Sequence, residues 1–340
     1  MTLGIDIGTT SVSGVAVDGD GKVAATVTHA HEADIPDLPH GIHAQDAARL
    51  MSAVDHVIAE LEAKTGKADD IGWTGQMHGV VGVDADLRPV TPFVTWRDAR
   101  RFAGRVMAGW ATEGRRSIVA CLPICGLAIA RRTGRRVIDS TFLHSWHLDE
   151  VEGKIPLSWL PTLDDASMLG DNQAGVYAAR YLLPGCAVVN LGTSGQLSIV
   201  DDVPFQPWSD GPLERRPYPG NKTLFCRISL VGGRAFAELR NELGFTWDEM
   251  NARAESDDRI VRCIRGIVDD LAGGIDLSRT TALVGVGNAL VRNPALRRAV
   301  ERRFGLRCEI PPVLEMAAYG AALYGLSNAK SSSCCRMMQR

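Results

Sequence analysis

One short pattern occurs twice in this chain, and each copy joins two apolar runs through a turn of glycine and threonine. Residues 4–18 read GIDIGTTSVSGVAVD and residues 188–202 read VVNLGTSGQLSIVDD, at a constant offset of 184 residues. Each copy predicts a strand, a tight turn and a second strand, and the turn offers backbone N–H groups and hydroxyls without bulky side chains. Two such turns facing each other across a cleft would hold a nucleoside triphosphate, so the repeat predicts a phosphotransferase.

Length, composition and charge restrict the class of protein. A chain of 340 residues with 45% hydrophobic residues is long enough for two domains, each with its own core. The net charge of −3 gives no electrostatic argument for a nucleic-acid partner. The N-terminus shows no secretion signal, the longest apolar stretch, of 14 residues, is too short to cross a bilayer, and no Cys-x-x-Cys pair occurs. We therefore expect a cytoplasmic protein with reduced thiols and no membrane partner.

The alternation of strand and helix patterns predicts an α/β fold of two domains. Helices are expected at residues 44–64, 171–183, 233–243, 257–272 and 314–326, with strands before and between them. Pro184-Gly185 is expected to separate an N-terminal domain at 1–184 from a C-terminal domain at 185–328, which a tail at 329–340 follows. Each domain is expected to contain a mixed five-stranded sheet with helices, beside a deep cleft.

Two patterns in the first half suggest ligand contacts. Asp6 ends an apolar strand, where its carboxylate could hold Mg²⁺ beside phosphates; a hairpin that contains Asp and Gly by chance is the alternative. Gln76, Met77 and His78 lie between two glycines, which permit close approach of a ligand. The amide and the imidazole can bind hydroxyls and the thioether can pack on the carbon face of a sugar, whereas an isolated histidine would have a structural role.

Two further patterns combine a carboxylate with aromatic or small residues. Trp96 and Asp98, in TWRDAR, offer stacking and hydrogen bonds to a polyhydroxy ligand, and a surface turn with a local ion pair is an equal alternative. Asp171 and Asn172 follow Gly170 in GDNQAG, at the predicted start of a helix. Asp171 either caps this helix or acts as a general base that accepts a hydroxyl proton.

A glycine-rich turn follows a predicted strand in the last quarter of the chain. Gly285, Gly287 and Asn288, in VGVGN, suit close packing of an adenine against the backbone, although an ordinary strand-to-helix loop has the same pattern. Gly233 is expected to face the same cleft. The small-residue helix after Glu315 is expected to pack beneath this turn.

The ordered series DIGTT, GQMHG, WRDAR, GDNQAG, NLGTSG and VGVGN resembles the FGGY family of carbohydrate kinases, over residues 3–110 and about 165–326. The GQMHG sequence is similar to the xylulokinase and sedoheptulokinase branches, and residues 213–218 with residues 230–235 are more similar to the sedoheptulokinase branch. The resemblance implies two actin/Hsp70/hexokinase-like (ribonuclease H-like) domains around a nucleotide-binding cleft, with ATP and Mg²⁺. It also implies a sugar as the small-molecule substrate, and a homodimer.

The same resemblance implies roles for individual residues. Asp171 would be the catalytic base, and Asp6 would serve Mg²⁺ and phosphate. The expected sugar-site residues are Gln76, Met77, His78, Trp96, Asp98 and Asn172. The expected nucleotide-site residues are Gly8, Thr9, Thr10, Gly192, Thr193, Ser194, Gly233, Gly285, Gly287 and Asn288.

Family members are usually longer than this chain, and the missing length lies mainly between Arg100 and Asp171. Residues 114–160 do not look like the family, and our hypothesis for them is a deletion or a compensated frameshift in the coding sequence. The predicted activity is ATP-dependent phosphorylation of a terminal hydroxyl of a ketose, with sedoheptulose or xylulose favoured. Two alternatives are a catalytically impaired remnant that only binds nucleotide or sugar, and an ATPase that acts on a protein partner.

Overall fold

The chain folds into two compact units. The structure, a computed structural model, describes residues 1–206, 213–229 and 231–338. Unit 1 comprises Met1–Ala178 together with the chain from Glu315 onward, and unit 2 comprises Ala179–Leu314. The sequence prediction places residues 315–328 in the C-terminal domain, whereas the structure returns this part of the chain to unit 1.

Short strands alternate with helices in the first part of the chain. The strands are β1 Thr2–Ile7, β2 Ser11–Val17, β3 Val23–Ala30, β4 Ala44–Gln45, β5 Asp70–Gly75, β6 Val81–Val83, β7 Phe93–Val94, β8 Ala120–Leu122, β9 Val137–Ile138, β10 Thr162–Leu163 and β11 Met168–Gly170. The helices are α1 Ala47–Thr65, α2 Ala103–Thr112, α3 Ile124–Thr133, α4 Ser140–Ser145 and α5 Asp171–Leu182.

The second part of the chain has longer strands followed by helices. The strands are β12 Ala187–Leu191, β13 Gly195–Asp201, β14 Glu214–Tyr218, β15 Lys222–Ser229, β16 Leu283–Val286 and β17 Cys308–Glu309. The helices are α6 Gly233–Leu243, α7 Trp247–Ala252, α8 Asp258–Ala272, α9 Asn288–Arg292, α10 Pro294–Phe304 and α11 Met316–Met338. Residues 339 and 340 of the predicted tail lie outside the described residues.

Unit 1 is built on a mixed five-stranded sheet, as the sequence predicts. The strand order is β11-β5-β1-β2-β3. The strands β11, β5 and β1 run parallel, while β1, β2 and β3 form an antiparallel meander. Leu3, Ile5 and Ile7 in β1 are fully buried, and α1 covers the sheet with the apolar face that its helical period predicts.

The last helix, α11, packs closely against the sheet of unit 1. A Cβ atom on Gly4 of β1 would lie 1.9 Å from the carbonyl oxygen of Ala318, and one on Gly72 of β5 would lie 1.8 Å from that of Ala321. Glycine in the strands and alanine in the helix let the two backbones approach to this distance. The small-residue helix therefore packs on β1 and β5 of unit 1, whereas the sequence prediction placed it beneath the turn at Gly287.

The segment at 114–160, which the sequence analysis set apart from the rest of the chain, is an integral part of unit 1. It contains β8, α3, β9 and α4, and β8 pairs with β6. Leu122, Ile124, Phe142 and Trp146 are fully buried in the core of this unit. Burial of large apolar side chains is the main stabilising contribution to a fold. These residues therefore belong to the core that stabilises unit 1, not to a surface insertion.

Unit 2 contains a six-stranded sheet of order β14-β15-β13-β12-β16-β17. The sequence prediction of five strands is corrected, because Glu214–Tyr218 forms a hairpin with β15 in which Tyr218 pairs with Lys222. The inner strand β12 runs antiparallel to β13 and parallel to β16. Along the described chain, no helix combines the length and hydrophobicity needed to span a membrane.

Candidate active site

Three parallel strands of unit 1 end at one edge of the sheet and bring three separate sequence motifs together. Asp6 pairs with Thr74 across β1 and β5, and Gly75 pairs with Gly170 across β5 and β11. The next residues along the chain are the Gly8 turn, Gln76 and Asp171. Because carboxyl ends of parallel strands in α/β sheets form binding crevices, this edge is the candidate site in unit 1.

Asp6 lies at this edge with one carboxylate oxygen, Oδ1, that is buried and makes no hydrogen bond within the described residues. Burial raises the pKa of Asp6 to about 7, and the negative charges of Asp171 and Glu315 raise it further in the same direction. A buried carboxylate beside other carboxylates is costly unless a cation or a proton neutralises it. The arrangement therefore fits a bound cation at Asp6.

The turn after β1 presents two backbone N–H groups on one side. The Gly8 carbonyl accepts hydrogen bonds from Gln76 Nε2 at 2.9 Å and His31 Nε2 at 3.3 Å, and the Thr9 carbonyl accepts one from Gln45 Nε2 at 2.8 Å. In a trans peptide the C=O and the next N–H point in opposite directions. The N–H groups of Thr9 and Thr10 therefore point away from these side chains, and neither donates a hydrogen bond within the described residues.

Gln76 is part of a hydrogen-bond chain whose direction is fixed. Its Nε2 donates to Gly8 O and to Gln45 Oε1, the latter at 2.8 Å. Both protons of the amide are thereby used. The remaining polar atom, Oε1, is buried and accepts no hydrogen bond among the described residues. Gln76 can consequently bind a ligand only as an acceptor, for example from a hydroxyl.

His78 has a left-handed backbone, with φ of 64°. Its N–H donates to Ser145 Oγ at 3.2 Å, and its Nδ1 lies 2.9 Å from the Ser145 carbonyl oxygen. A carbonyl only accepts, so Nδ1 has the proton and Nε2 is an acceptor in the neutral ring. Ser145 ends α4, and so the segment that does not resemble the family orients the imidazole of the GQMHG motif.

The other predicted sugar-site residues differ in their exposure. Trp96 is 49% exposed, and its indole N–H donates to Thr9 Oγ1 at 3.1 Å, which places it beside the Gly8 turn. Met77 is buried, and a Cβ atom on Gly170 would lie 2.5 Å from its sulfur. Met77 therefore packs beneath the end of β11.

Asp98 is only 2% exposed and binds its own loop. Its two oxygens accept hydrogen bonds from Arg100 Nε at 2.6 Å, Arg100 Nη2 at 2.8 Å and the backbone N–H groups of Arg100 and His43. Burial on its own would raise the pKa of Asp98, but the Arg100 guanidinium and these N–H groups outweigh burial and hold it below its ordinary value. We assign to Asp98 the shaping of the loop that bears Trp96.

Asp171 begins α5 directly after β11 and is exposed at the sheet edge. Its Oδ1 accepts a hydrogen bond from the N–H of Asn172 at 2.7 Å. Gly170, the preceding residue, donates its N–H to Thr141 Oγ1 at 2.8 Å. The position of Asp171 is thus set by α4 on one side and by the sheet on the other, while the carboxylate remains accessible to a ligand.

The corresponding turn in unit 2 has the same backbone orientation. The Gly192 and Thr193 carbonyls accept hydrogen bonds from the N–H groups of Gly233 at 2.9 Å and Arg234 at 3.1 Å, in the first turn of α6. The N–H groups of Thr193 and Ser194 therefore point away from α6. A side chain at Gly233 would clash with Gly192 O at 2.4 Å, so this glycine holds the turn against the helix.

The glycine-rich turn after β16 lies at the same edge of the unit 2 sheet. Asn190 pairs with Val286 across β12 and β16, so the turns that follow these two strands are neighbours. Gly287 has φ of 87°, and a Cβ there would lie 2.5 Å from Leu191 O. Asn288 is exposed, whereas Gly285 is buried within β16, where a Cβ would meet Leu290 and Cys308. Gly285 therefore has a packing role in this unit.

Sequence reasoning missed four residues that contact the unit 1 site, namely His31, Gln45, Thr141 and Ser145. Each is a polar residue with little or no exposed surface, and each makes hydrogen bonds to a backbone distant in sequence. The only sequence signal is for Gln45, which immediately precedes the N-cap Asp46 of α1.

Comparisons of the sequence find relatives among known proteins. Residues 1–121 match the N-terminal domain of the FGGY family of carbohydrate kinases. A xylulose kinase of Lactococcus lactis is 30% identical over 102 residues, which are 29% of this chain and only 20% of that enzyme. The mouse sedoheptulokinase is 23% identical over 461 aligned positions that include 95% of this chain and 96% of the relative. This alignment is longer than the chain itself, so the chain lacks segments that the relative has.

Solved structures show the fold. A xylulose kinase from Brucella ovis superposes with a TM-score of 0.82 at 19% identity, covering 97% of this chain and 90% of that one. A gluconate kinase from Lactobacillus acidophilus gives 0.83 at 17% identity, with 97% and 89% covered. The prediction of two actin-like, ribonuclease H-like α/β domains is confirmed. Together with the ordered motifs, these matches show that residues 1–121 are similar to the N-terminal domain of the FGGY family of carbohydrate kinases.

Proposed function

We propose that the chain is an ATP-dependent sugar kinase that phosphorylates a terminal hydroxyl of a ketose, with sedoheptulose or xylulose favoured. The observation that supports this most strongly is the shared edge of β1, β5 and β11. The carboxylate of Asp6, the amide and imidazole of Gln76 and His78, and the exposed carboxylate of Asp171 all belong to the ends of these three adjacent strands or to the residues that follow them. A base that accepts the hydroxyl proton and a carboxylate that holds Mg²⁺ are recurring parts of phosphoryl-transfer sites.

In this proposal, Asp171 accepts the proton of the attacking hydroxyl. A general base must be within hydrogen-bond reach of the proton that it accepts. Asp171 is exposed at the start of α5, so a substrate hydroxyl can approach its carboxylate. Gln76 Oε1 and His78 Nε2 accept hydrogen bonds from sugar hydroxyls, and Trp96 offers an exposed aromatic face. These two acceptor atoms suit a ligand with many O–H donors, such as a polyol.

The N–H groups of the Gly8 turn in unit 1 are proposed to bind the β and γ phosphates of ATP. The Gly192 turn in unit 2, taken by itself, offers N–H groups of the same kind to an anion. Successive N–H groups that point to one side form an anion-binding nest. In unit 2, the turn at Gly287 and Asn288 is proposed to contact the adenine.

Asp6 is proposed to hold Mg²⁺, since its buried Oδ1 makes no hydrogen bond within the described chain. Mg²⁺, when bound, neutralises negative charge on the phosphates. Among the described residues, no group of three or more His, Cys, Asp or Glu side chains is arranged to enclose a metal ion. Phosphate oxygens and water are therefore expected to supply most of its ligands, which is usual for Mg²⁺.

The test is Mg-ATP turnover by the purified chain against a panel of ketoses, aldonates and polyols, with Asp171→Asn as a matched control of the same size. Turnover that depends on one sugar and disappears in Asp171→Asn supports the kinase and names its substrate. Nucleotide binding without sugar-dependent turnover would support the remnant instead. Sugar-independent ATP hydrolysis would favour the ATPase, although that function has no use for the acceptors at Gln76 and His78.

A further inference from the structure

In both Gly-Thr turns the carbonyls of the first two residues are held by hydrogen bonds, but the donors differ between the two turns. For their N–H groups to point toward a phosphate, the carbonyls of the first two turn residues must be held in the opposite direction. In unit 2, backbone N–H groups of α6 hold the carbonyls of Gly192 and Thr193. In unit 1, the equivalent carbonyls of Gly8 and Thr9 are held by side chains.

We propose that His31 and Gln45 are positioning residues that orient the Gly8 turn for the phosphates of ATP. This inference rests on the proposed kinase function, and neither residue contacts the ligand in it. They act through two peptide planes, the one between Gly8 and Thr9 and the one between Thr9 and Thr10.

His31 is suited to this role because its proton is fixed on one nitrogen. Its Nδ1 accepts a hydrogen bond from the N–H of Ala33 at 3.1 Å, so in the neutral ring Nε2 has the proton and donates to the Gly8 carbonyl. Burial lowers the pKa of His31, which favours this neutral form. A donor therefore faces Gly8 O at physiological pH.

Gln45 has no exposed surface, and its orientation is determined by its three partners. Its Nε2 donates to Thr9 O and to Asp34 Oδ1 at 2.6 Å, and its Oε1 accepts from Gln76 Nε2. Reversing the amide would direct an oxygen at Thr9 O and Asp34 and would direct an NH₂ group at Gln76 Nε2. The amide thus has one allowed orientation, in which it fixes the Thr9 carbonyl.

Loss of Gln45 would remove the side-chain donor to the Thr9 carbonyl and free that peptide plane. Loss of His31 would leave the Gly8 carbonyl with one donor, Gln76 Nε2, instead of two, and would loosen its plane. A rotated plane would present a carbonyl oxygen, instead of an N–H, to the phosphate, and two oxygens repel each other. The expected effect is specific to ligands with β and γ phosphates, because AMP has no group that reaches this turn in the proposed mode.

The experiment measures Kd values of ATP and AMP by calorimetry, in the full-length chain, for four variants. His31→Leu and Gln45→Met remove the donors without adding charge, and His31→Gln restores an amide donor near the position of Nε2. His29→Leu is the matched control, because His29 contacts His56 at 4.3 Å between ring centres rather than the turn. Thermal unfolding of each variant accompanies the binding measurements.

We expect Gln45→Met to raise the Kd of ATP about tenfold, the equivalent of one good hydrogen bond, with the Kd of AMP unchanged. His31→Leu should raise the Kd of ATP by a smaller factor, because Gln76 Nε2 still donates to the Gly8 carbonyl. His31→Gln should recover most of the ATP affinity, and His29→Leu should behave as wild type. An equal loss of ATP and AMP affinity, or no loss in a folded variant, overturns the positioning role. If His31→Leu does not fold, Gln45→Met and His31→Gln decide the question.

The two proposals can fail separately. A wild-type chain that binds ATP more tightly than AMP but phosphorylates no sugar refutes the kinase, and the variants still test the positioning role. A wild-type chain that binds the two nucleotides equally refutes the positioning role whatever its activity on sugars.

Discussion

Thr141 fixes the backbone that precedes the proposed catalytic base, because its hydroxyl accepts a hydrogen bond from the N–H of Gly170 at 2.8 Å. The same hydroxyl donates to Asp139 Oδ1 at 2.9 Å, so its two roles are defined. Asp139 is the N-cap of α4 and accepts the N–H groups of Thr141 and Phe142 as well. A buried chain of hydrogen bonds thus runs from the first turn of α4 to the residue before Asp171.

We predict that Thr141→Val lowers kcat strongly while leaving the KM of the sugar nearly unchanged. Valine has the same shape but leaves the N–H of Gly170 buried without a partner, at a cost of about 1–3 kcal/mol. The end of β11 would then shift, and with it the carboxylate of Asp171. Steady-state kinetics and thermal unfolding measure the two effects. Thr141→Ser retains the hydroxyl and should keep most of the activity; a Thr141→Val enzyme with wild-type kcat would refute the prediction.

The sequence predicted the fold class and the Gly-Thr turns because these depend on local patterns. The repeat encodes two hairpins in a few residues each, and the structure has a strand pair at both places. The sequence also singled out Asp6 at the end of an apolar strand and Asp171 at the start of a helix, but only the structure shows that both lie at one edge of the sheet. The sixth strand of unit 2 was missed because β14 depends on pairing with β15 rather than on a pattern of its own.

The supporting residues could not be predicted from the sequence for a different reason. Thr141 and Ser145 contact Gly170 and His78, which lie 29 and 67 residues away in the chain. Such contacts are decided by the packing of α4 against the sheet and have no local signature. The sequence analysis found no family-like pattern in residues 114–160, yet this segment contains Thr141 and Ser145, which make these two contacts.

Asp98 is predicted to stabilise its loop rather than to select the sugar. Asp98→Asn removes the charge that pairs with Arg100 and should lower the free energy of unfolding by roughly 1.5–3 kcal/mol. The pKa of Asp98 is lower in the folded chain than in the unfolded chain, where it is near 4. This contribution to stability is therefore present above the pKa of the unfolded chain and is lost as the pH falls through the pKa of the folded chain. Chemical denaturation at pH 7 and at pH 3 measures the difference. A change in the ranking of kcat/KM among sugars would instead indicate direct contact with the substrate.

Gly233→Ala is predicted to weaken ATP binding by displacing α6 from the Gly192 turn. The added methyl group would lie 2.4 Å from both Gly192 O and the Cβ of Ala289, so the helix or the turn must move. Gly266→Ala is the matched control, since a Cβ at Gly266 in the middle of α8 meets no atom within 4 Å. That variant should gain roughly 0.5–1 kcal/mol of stability and bind ATP normally. Equal ATP affinity in both variants would contradict the role assigned to Gly233.

Asp6→Asn is predicted to stabilise the metal-free chain and to abolish kinase activity. The pKa of Asp6 is raised from its ordinary value to about 7, first by burial and then by Asp171 and Glu315, so the folded state binds a proton that the unfolded state releases. Stability from this group is therefore complete below about pH 4 and is lost as the pH rises toward 7. In EDTA, the melting temperature of the wild type should fall relative to that of Asp6→Asn between about pH 4 and pH 7. If the melting temperatures of the wild type and Asp6→Asn change with pH in the same way, the charged carboxylate does not destabilise the fold. The argument for a bound cation at Asp6 would then be lost.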